Sequence, residues 1–531
     1  MIRDIERLHR ELFDLLIVGG GIYGLAAARE AAARGLSVAL VERDDFGSRT
    51  SFNHHKTIHG GLRYLQRGDL VRMRESALER RAFAQMAPQF ISPQVFVFPT
   101  SRSLTRGRLA MRAALAVDRV VASDRNSGVD PALRLPPGRM LTRRELADLV
   151  PELAETGATG GALWFEYKIT ESERLTLAFA LAAARDGAVM ANYMEAVSPT
   201  REGGQITGMR VRDITTGDTR AVRARLTCNA AGPGAGRVMA SFGIRHPFPL
   251  LKAMNVVTTR AAGSAAFGAA TREGRLLVAL PWRGRLAVGT WHGNDIAGAD
   301  ATHVEAAELD GFLAEINDTF PWLELRRGDV TLVHRGLVPA RPPRRRAPRF
   351  LERGKVLDHA RDGIEGAFSV VGVKYTTARA VAERAIDLAL AKLGLPHAES
   401  RTAVTPLLPD AHASPAGVDD PVMRLYDPEG VRRMEALAAA QPDLGRPLVS
   451  GAVVTGAQVL EAVRHEMALS LEDVLLRRTA LGSVQYPGDA ATRAAAAIVA
   501  SELGWSAERI ESEVDGVRRY YELPDGAGGS D

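Results

Sequence analysis

The stretch FDLLIVGGGIYGLAAAREAAARGLSVALVER, residues 13–43, decides the fold. Leu15–Val18 is a continuous apolar run, which is what a strand buried on both faces needs. Gly19, Gly20, Gly21 and Gly24 follow as G-x-G-x-x-G, and an alanine-rich helix runs on to a stop at Gly35. LSVALVER is then a second buried strand, so the stretch predicts a βαβ unit. The first glycine makes the tight turn. The second lets backbone N–H groups approach a pyrophosphate, and the third permits close helix–strand packing. Glu42 ends the second strand, 23 residues after Gly19, where a carboxylate holds a ribose hydroxyl and disfavours a 2′-phosphate. A dinucleotide is therefore expected, NAD or FAD. The strand ending in small residues at TCNAAGPGAG, 227–236, favours FAD.

Working outward, 531 residues exceed one ordinary core, and two or three domains are expected. Apolar content of 46% and charged content of 25% are those of a globular chain, and a net charge of +5 is small for this length. One cysteine, Cys228, rules out a disulfide framework and a cysteine metal cluster, and no His/Asp/Glu spacing reads as a metal site. The N-terminus MIRDIERLHRELF has no apolar core of a secretory signal. No run is long enough to span a bilayer. The expected location is cytoplasmic, with room for peripheral attachment at the inner face of the membrane.

Further along, residues 69–87 read as a long helix ended before Pro88, and 92–160 as mixed, without a strong period. ITGMRVRD with TRAVRARLTCN, and LLVALPW with RLAVGTWH, read as hairpins. Beyond about residue 400 the pattern is helical, with capping-box spacing at Thr455/Gln458 and Ser470/Asp473.

FDLLIVGGGIYG, SFNHHKTIHGGLRYLQ (51–66), NAAGPGAG (229–236), GVKYTTARAVAERAID (372–387) and RHEMALSLEDVLLRRTALG (464–482) together resemble the aerobic, FAD-dependent glycerol-3-phosphate dehydrogenases. The resemblance covers nearly the whole chain. It implies an α/β FAD-binding Rossmann-like domain, of the glutathione-reductase/D-amino-acid-oxidase kind, interleaved with a substrate-binding α+β domain. These would occupy residues 1–395, with cap segments near 80–160 and 240–340. A linker at 396–425, an all-α C-terminal domain at 426–523 and a disordered tail at 524–531 complete the expectation. The implied reaction oxidises sn-glycerol 3-phosphate to dihydroxyacetone phosphate and passes the electrons to a quinone. A homodimer is compatible with such a chain, and no nucleic-acid partner is expected.

The resemblance also implies site residues. Arg43, Ser51, His55, Lys56, His59, Gly60, Gly61, Leu62, Gly232, Tyr375 and Thr376 would join the glycines and Glu42 around FAD. Lys374 would lie beside the flavin, and Arg63 and Tyr64 would meet the substrate. The substrate face departs from the family. Val338 stands where an arginine grips phosphate, Asn255 where a histidine is usual, and Trp291-His292 where Thr-Asp is usual. His54 and His55 replace small hydroxyl residues, and Val373 replaces a glycine. Arg335 and Arg341 flank Val338 and could compensate; with Asn255 they are expected on the substrate side. His292 is the first choice for the base, with His54 and His55 next. These departures support an alternative in which another polyol phosphate, polyol or hydroxy acid is oxidised. Arg341, Arg344, Arg345, Arg346 and Arg349 form the strongest charge run, read as a solvated loop or a contact with anionic lipid.

Overall fold

The computed structural model describes residues 1–245, 248–341, 349–409 and 422–524. The strand Leu12–Val18 pairs in parallel with Val38–Val41, and helix Ile22–Ala33 connects them. This is the expected βαβ unit, with Gly35 in the left-handed region (φ 83°) just past the helix. Leu12–Val18 also pairs in parallel with Thr219–Asn229, which pairs with Ala367–Val371. The sheet order is Lys355–Asp358, Ala367–Val371, Thr219–Asn229, Leu12–Val18, Val38–Val41, Val189–Ala191, and a hairpin of Met194–Glu202 and Gln205–Asp213 is added to Thr219–Asn229. Helices Ile22–Ala33, Ser172–Arg185 and Ala378–Leu393 cover one face through alanines and leucines such as Leu25, Ala28, Leu175, Ala178 and Ala382.

A second, ten-stranded sheet faces this domain. It contains the expected hairpin Leu276–Trp282/Arg285–His292, turned by Arg283 and Gly284, both at positive φ. It also contains an element that the sequence hid. Residues 92–160 include Ile91–Thr100, which pairs along its full length with Gly160–Ile169. Pro93 and Pro99 demote that run on sequence grounds. They are tolerated because the strand on the other side touches only Phe96 and Val97. The sheet thus draws on 57–58, 91–100, 139–141 and 160–169 besides 250–341, and helix Leu70–Met86 packs at its border with the first domain.

The expected linker at 396–425 is only partly a linker. Leu407 and Leu408 are buried in the first domain's core, and the buried Arg29 donates to Thr402 O at 3.1 Å. Residues 410–421 and the tail from 525 lie outside the described residues. The C-terminal part is helical, with Pro428–Ala440, Gly456–His465, Asp489–Leu503 and Ala507–Tyr521 around a core of Val459, Leu471, Val474, Val499 and Val514. Both capping pairs form, Thr455 with Gln458 and Ser470 with Asp473. A buried charge cluster clasps this part to the first domain. Asp45 accepts from Arg477 Nε and from both Arg478 guanidinium nitrogens, each at 2.7 Å. Arg174 donates to Glu466 at 2.7 Å under the Tyr426 ring.

Candidate active site

The carboxyl ends of the parallel strands open into one cavity of about 1390 Å³, which continues between the two sheets. Its inner end is built by the glycine turn. Gly21 is the N-cap of helix Ile22–Ala33, and the Ile22 N–H is held by Ser51 Oγ at 2.9 Å. A Cβ on Gly24 would overlap the Gly19 carbonyl oxygen, so the third glycine serves packing. Glu42 accepts from the Gly20 N–H at 2.5 Å and the Asp44 N–H at 2.8 Å. Its burial raises the carboxyl pKa above the usual value, against the pull of those bonds. Ala230, Ala231 and Gly232 close over the turn from the neighbouring strand. Close-packed glycines, a helix N-terminus and a strand-end carboxylate fit the pyrophosphate and ribose of FAD. Arg43 lies at the edge, within 3.9 Å of Asp300.

The outer end holds the segment His59–Arg67. Gly61 has φ 84°, which turns the chain into the helical turn Leu62–Arg67. Gly60 donates its N–H to Glu166 at 2.7 Å, and Glu166 is paired with the buried Arg80 at 2.5 Å. Three cations surround Tyr64. Lys374 Nζ lies 4.0 Å from its ring centroid, and the Arg72 and Arg63 guanidinium carbons lie 5.0 and 5.3 Å from it. Arg72 is neutralised by Asp69 and Glu352. Among the described residues no carboxylate pairs with Lys374 or Arg63. Burial pulls the Lys374 pKa below its ordinary value, and it lowers further beside Arg63. Burial would raise the Tyr64 phenol, but Arg63 and Lys374 outweigh it and bring the pKa down. This end of the cavity is a half-buried, uncompensated positive site, suited to an anion.

Beside it the wall is apolar. Val338, Val373, Phe350 and Ala253 line the cavity and pack on Leu251 and Ala340. His292 stacks on Phe350, with ring centroids 4.1 Å apart. Tyr375 stacks on His54 at 4.3 Å, and Thr376 Oγ1 accepts from the His59 N–H at 3.4 Å.

The cavity brings together Gly19, Gly21, Glu42, Arg43, Ser51, His55, His59, Gly61, Leu62, Gly232, Lys374, Tyr375 and Thr376, with Arg63, Tyr64, Asn255, Arg335 and His292. Lys56 and Arg341 fall outside the cavity, and three of its lining residues, Asn255, Arg335 and His292, are engaged with protein partners. Lys56 points away from the cavity: its ammonium is buried, donating to Phe52 O at 2.6 Å and Ser172 Oγ at 2.7 Å. Asn255 spends its amide on Asn53 O and Thr290 Oγ1, so it ties strands rather than reaching for substrate. Arg335 lies over the Tyr520 ring at 5.4 Å, facing the C-terminal helix. Arg341 is exposed and paired with Glu352 at 3.3 Å. His292 has its Nδ1 occupied by a cation. Arg275 Nη1 lies 3.3 Å from its Nδ1. A guanidinium only donates, so Nδ1 accepts and the proton sits on Nε2. Burial and Arg275 hold its pKa at about 4.

His55 is held by backbone groups. Its Nε2 lies 3.4 Å from the Ala287 carbonyl oxygen, and the Val278 backbone is a second hydrogen-bond partner of the ring. Burial holds this imidazole at about 4, neutral at ordinary pH. Sequence reasoning missed Arg275, Trp164 and Phe350. Trp164 and Phe350 sit in stretches without a readable period, and Arg275 is one arginine among many.

The glycine turn, the closing strand and the second sheet agree with the relatives of this chain. Residues 14–388 match the family described as FAD dependent oxidoreductase, and 428–510 match the C-terminal domain of alpha-glycerophosphate oxidase. A glycerol-3-phosphate dehydrogenase of Mycobacterium leprae is 32% identical, over 96% of this chain and 88% of its own length. One from Synechocystis is 28% identical over 99% of both chains. Among solved structures, the glycerol-3-phosphate dehydrogenase of Bacillus halodurans, complexed with FAD, shares the fold with a TM-score of 0.73 at 20% identity, covering 99% of this chain and 98% of that one. With strand, glycine turn, cation pair and helical C-terminal part each in place, the chain belongs to the FAD-dependent glycerol-3-phosphate dehydrogenase family, and it is an FAD-dependent oxidoreductase.

Proposed function

We propose that this protein oxidises sn-glycerol 3-phosphate to dihydroxyacetone phosphate and delivers the electrons to a quinone. The observation that carries the reading is the cation pair Lys374 and Arg63, which has no carboxylate partner among the described residues and faces the cavity that fits FAD. The names of the relatives supply the substrate, and the positive site supplies a place for its phosphate.

Bound FAD supplies the two-electron acceptor for the hydride leaving the alcohol carbon. The protein's own groups do the rest. Lys374, Arg63 and the Tyr64 hydroxyl bind and orient the anionic end. The neutral His55 imidazole accepts the proton of the reacting hydroxyl, which leaves a carbonyl. The walls formed by Phe96, Phe98 and Trp164 keep the site partly dry, which strengthens the charge contacts.

A second reading is favoured by the apolar patch of Val338, Val373 and Phe350 next to Lys374. A substrate with one anionic end and a less polar remainder, such as a hydroxy acid, would fill that wall better than a phosphate needing a further arginine. Anaerobic mixing of the holoenzyme with glycerol 3-phosphate, other polyol phosphates and short 2-hydroxy acids separates the readings by which one bleaches the flavin.

A further inference from the structure

His54 presents a hydrogen-bond donor in the flavin cavity that no described group of the protein receives. The Lys56 N–H donates to His54 Nδ1 at 3.1 Å. A backbone N–H only donates, so Nδ1 accepts and the proton of the neutral ring sits on Nε2. Burial, with Lys56 and His55 close by, holds the imidazole pKa well below its ordinary value, so the ring is uncharged. Its Nδ1 lone pair is spent, which makes His54 a donor rather than a base. Nε2 is shielded from solvent and has no hydrogen-bond partner among the described residues. A buried donor left unpaired is costly, and native folds partner such groups.

The ring is clamped. One face stacks on Tyr375, with centroids 4.3 Å apart and planes 22° apart. Tyr375 is itself buried, and its hydroxyl shares a 2.9 Å hydrogen bond with Thr176 Oγ1. Lys56 has φ 45°, and its ammonium is anchored on Phe52 O and Ser172 Oγ. The N–H that sets the His54 tautomer is thereby fixed as well, and the Nε2 donor is preorganised.

Position selects the acceptor. His54 lies three residues after Ser51, whose Oγ holds the Ile22 N–H at the pyrophosphate turn. Its stacking partner Tyr375 follows Lys374 of the cation pair. The histidine therefore sits between the two ends of the cavity, where the isoalloxazine of FAD belongs. The benzenoid end of that ring system carries methyl groups and no acceptor. Its carbonyl oxygens and unprotonated ring nitrogens lie toward the pyrimidine end. We infer that His54 is a cofactor-binding residue whose Nε2–H donates to an acceptor at the pyrimidine end of the flavin and raises the flavin's reduction potential. Those acceptors gain negative charge when the flavin is reduced, so the bond strengthens and favours the reduced form. The inference rests on FAD binding and is independent of which alcohol is oxidised.

The test reads the holoenzyme with no alcohol present, the flavin being reduced anaerobically in equilibrium with a reference dye. His54→Phe keeps a ring on Tyr375 and loses the donor. Its flavin should be about tenfold harder to reduce, a midpoint about 30 mV lower for two electrons. His54→Gln offers an amide oxygen to the Lys56 N–H and an amide N–H to the cavity, and should stay within about threefold of the parent. Raman bands of the flavin carbonyl and C=N groups should move in His54→Phe and hold in His54→Gln. One readout needs only the parent fold. With nitrogen-15 in the histidine rings, the His54 Nε2–H resonance, assigned by its loss in His54→Gln, should shift when dithionite reduces the flavin. Equal potentials in parent and His54→Phe, equal losses in both variants, or a resonance indifferent to flavin reduction would overturn the inference. Weaker FAD retention with an unchanged potential would overturn it too, and would place the donor on the ribityl chain or the pyrophosphate.

Discussion

Replacing Lys374 by methionine removes the positive charge and keeps most of the stem. The ammonium sits 4.0 Å from the Tyr64 ring centroid with no carboxylate partner, so a bound anion is its natural counter-charge. Two unit charges about 4 Å apart attract by about 4 kcal/mol at an effective dielectric near 20. Desolvating the anion takes part of that back, leaving about 2–4 kcal/mol. At 1.36 kcal/mol per decade, kcat/KM for an anionic alcohol should fall by about 30- to 900-fold. Stopped-flow flavin reduction under anaerobic conditions measures this directly. FAD content should stay stoichiometric, and the slow reaction with neutral glycerol should be unchanged, because it never used the charge. The pH dependence has a definite sign. The Lys374 pKa is depressed by burial, so as pH rises through that lowered value the ammonium is lost and KM for the anion climbs. Lys374→Arg should delay that climb. Equal losses for glycerol and glycerol 3-phosphate, or no loss for either, would refute the assignment of the anion to this site.

Other outcomes follow from neighbouring groups. His55→Gln should slow flavin reduction by about 10²–10⁴-fold, the range for a general base, and remove the fall in kcat/KM expected of the parent as pH drops through about 4. His292→Gln should leave that acid limb in place. The buried Lys56 is pushed down to about 8, so folding disfavours its charged form. Below pH 8 the penalty is full, about 3 kcal/mol. It is relieved as pH rises toward the unfolded value of 10.5. Urea unfolding of Lys56→Met against the parent should therefore show a stability gain that shrinks across that window. Burial alone would raise the pKa of Asp45, but Arg478 and Arg477 reverse that and hold it at about 2. Its stabilisation is present above pH 3.8 and lost as pH falls through about 2. Asp45→Asn leaves the buried Arg478 without its carboxylate, while Arg477 keeps Asp473 at 2.5 Å, and should cost about 3–5 kcal/mol in denaturant unfolding, with the C-terminal helices loosening first in hydrogen exchange.

The nucleotide end of the site was legible because its physics is local. A strand, three spaced glycines and a carboxylate act within 30 contiguous residues, and the structure keeps them together. The substrate end was less legible because its parts come from separate strands. Lys374, Tyr64 and Phe350 meet only through the fold. Lys56 shows how composition misleads: its place in a ligand-facing segment suggested contact, but a bend at positive φ just before the strand Thr57–Ile58 turns it inward to Ser172. His292 shows the limit of residue type as a guide. An imidazole reads as a base until its neighbour is known, and Arg275 lies 17 residues earlier, across a hairpin. Pro93 and Pro99 hid a ten-residue strand because their tolerance depends on how little of its second side is paired, which only the assembled sheet defines.

The central claim is that this cavity oxidises an anionic secondary alcohol on FAD. The most direct test is anaerobic bleaching of the holoenzyme by sn-glycerol 3-phosphate, run beside glycerol, other polyol phosphates and 2-hydroxy acids. The account predicts rapid, complete bleaching by an anionic alcohol, glycerol 3-phosphate first among them, and little by glycerol. A flavin that none of the anionic alcohols reduces, or that glycerol reduces as fast, would contradict it.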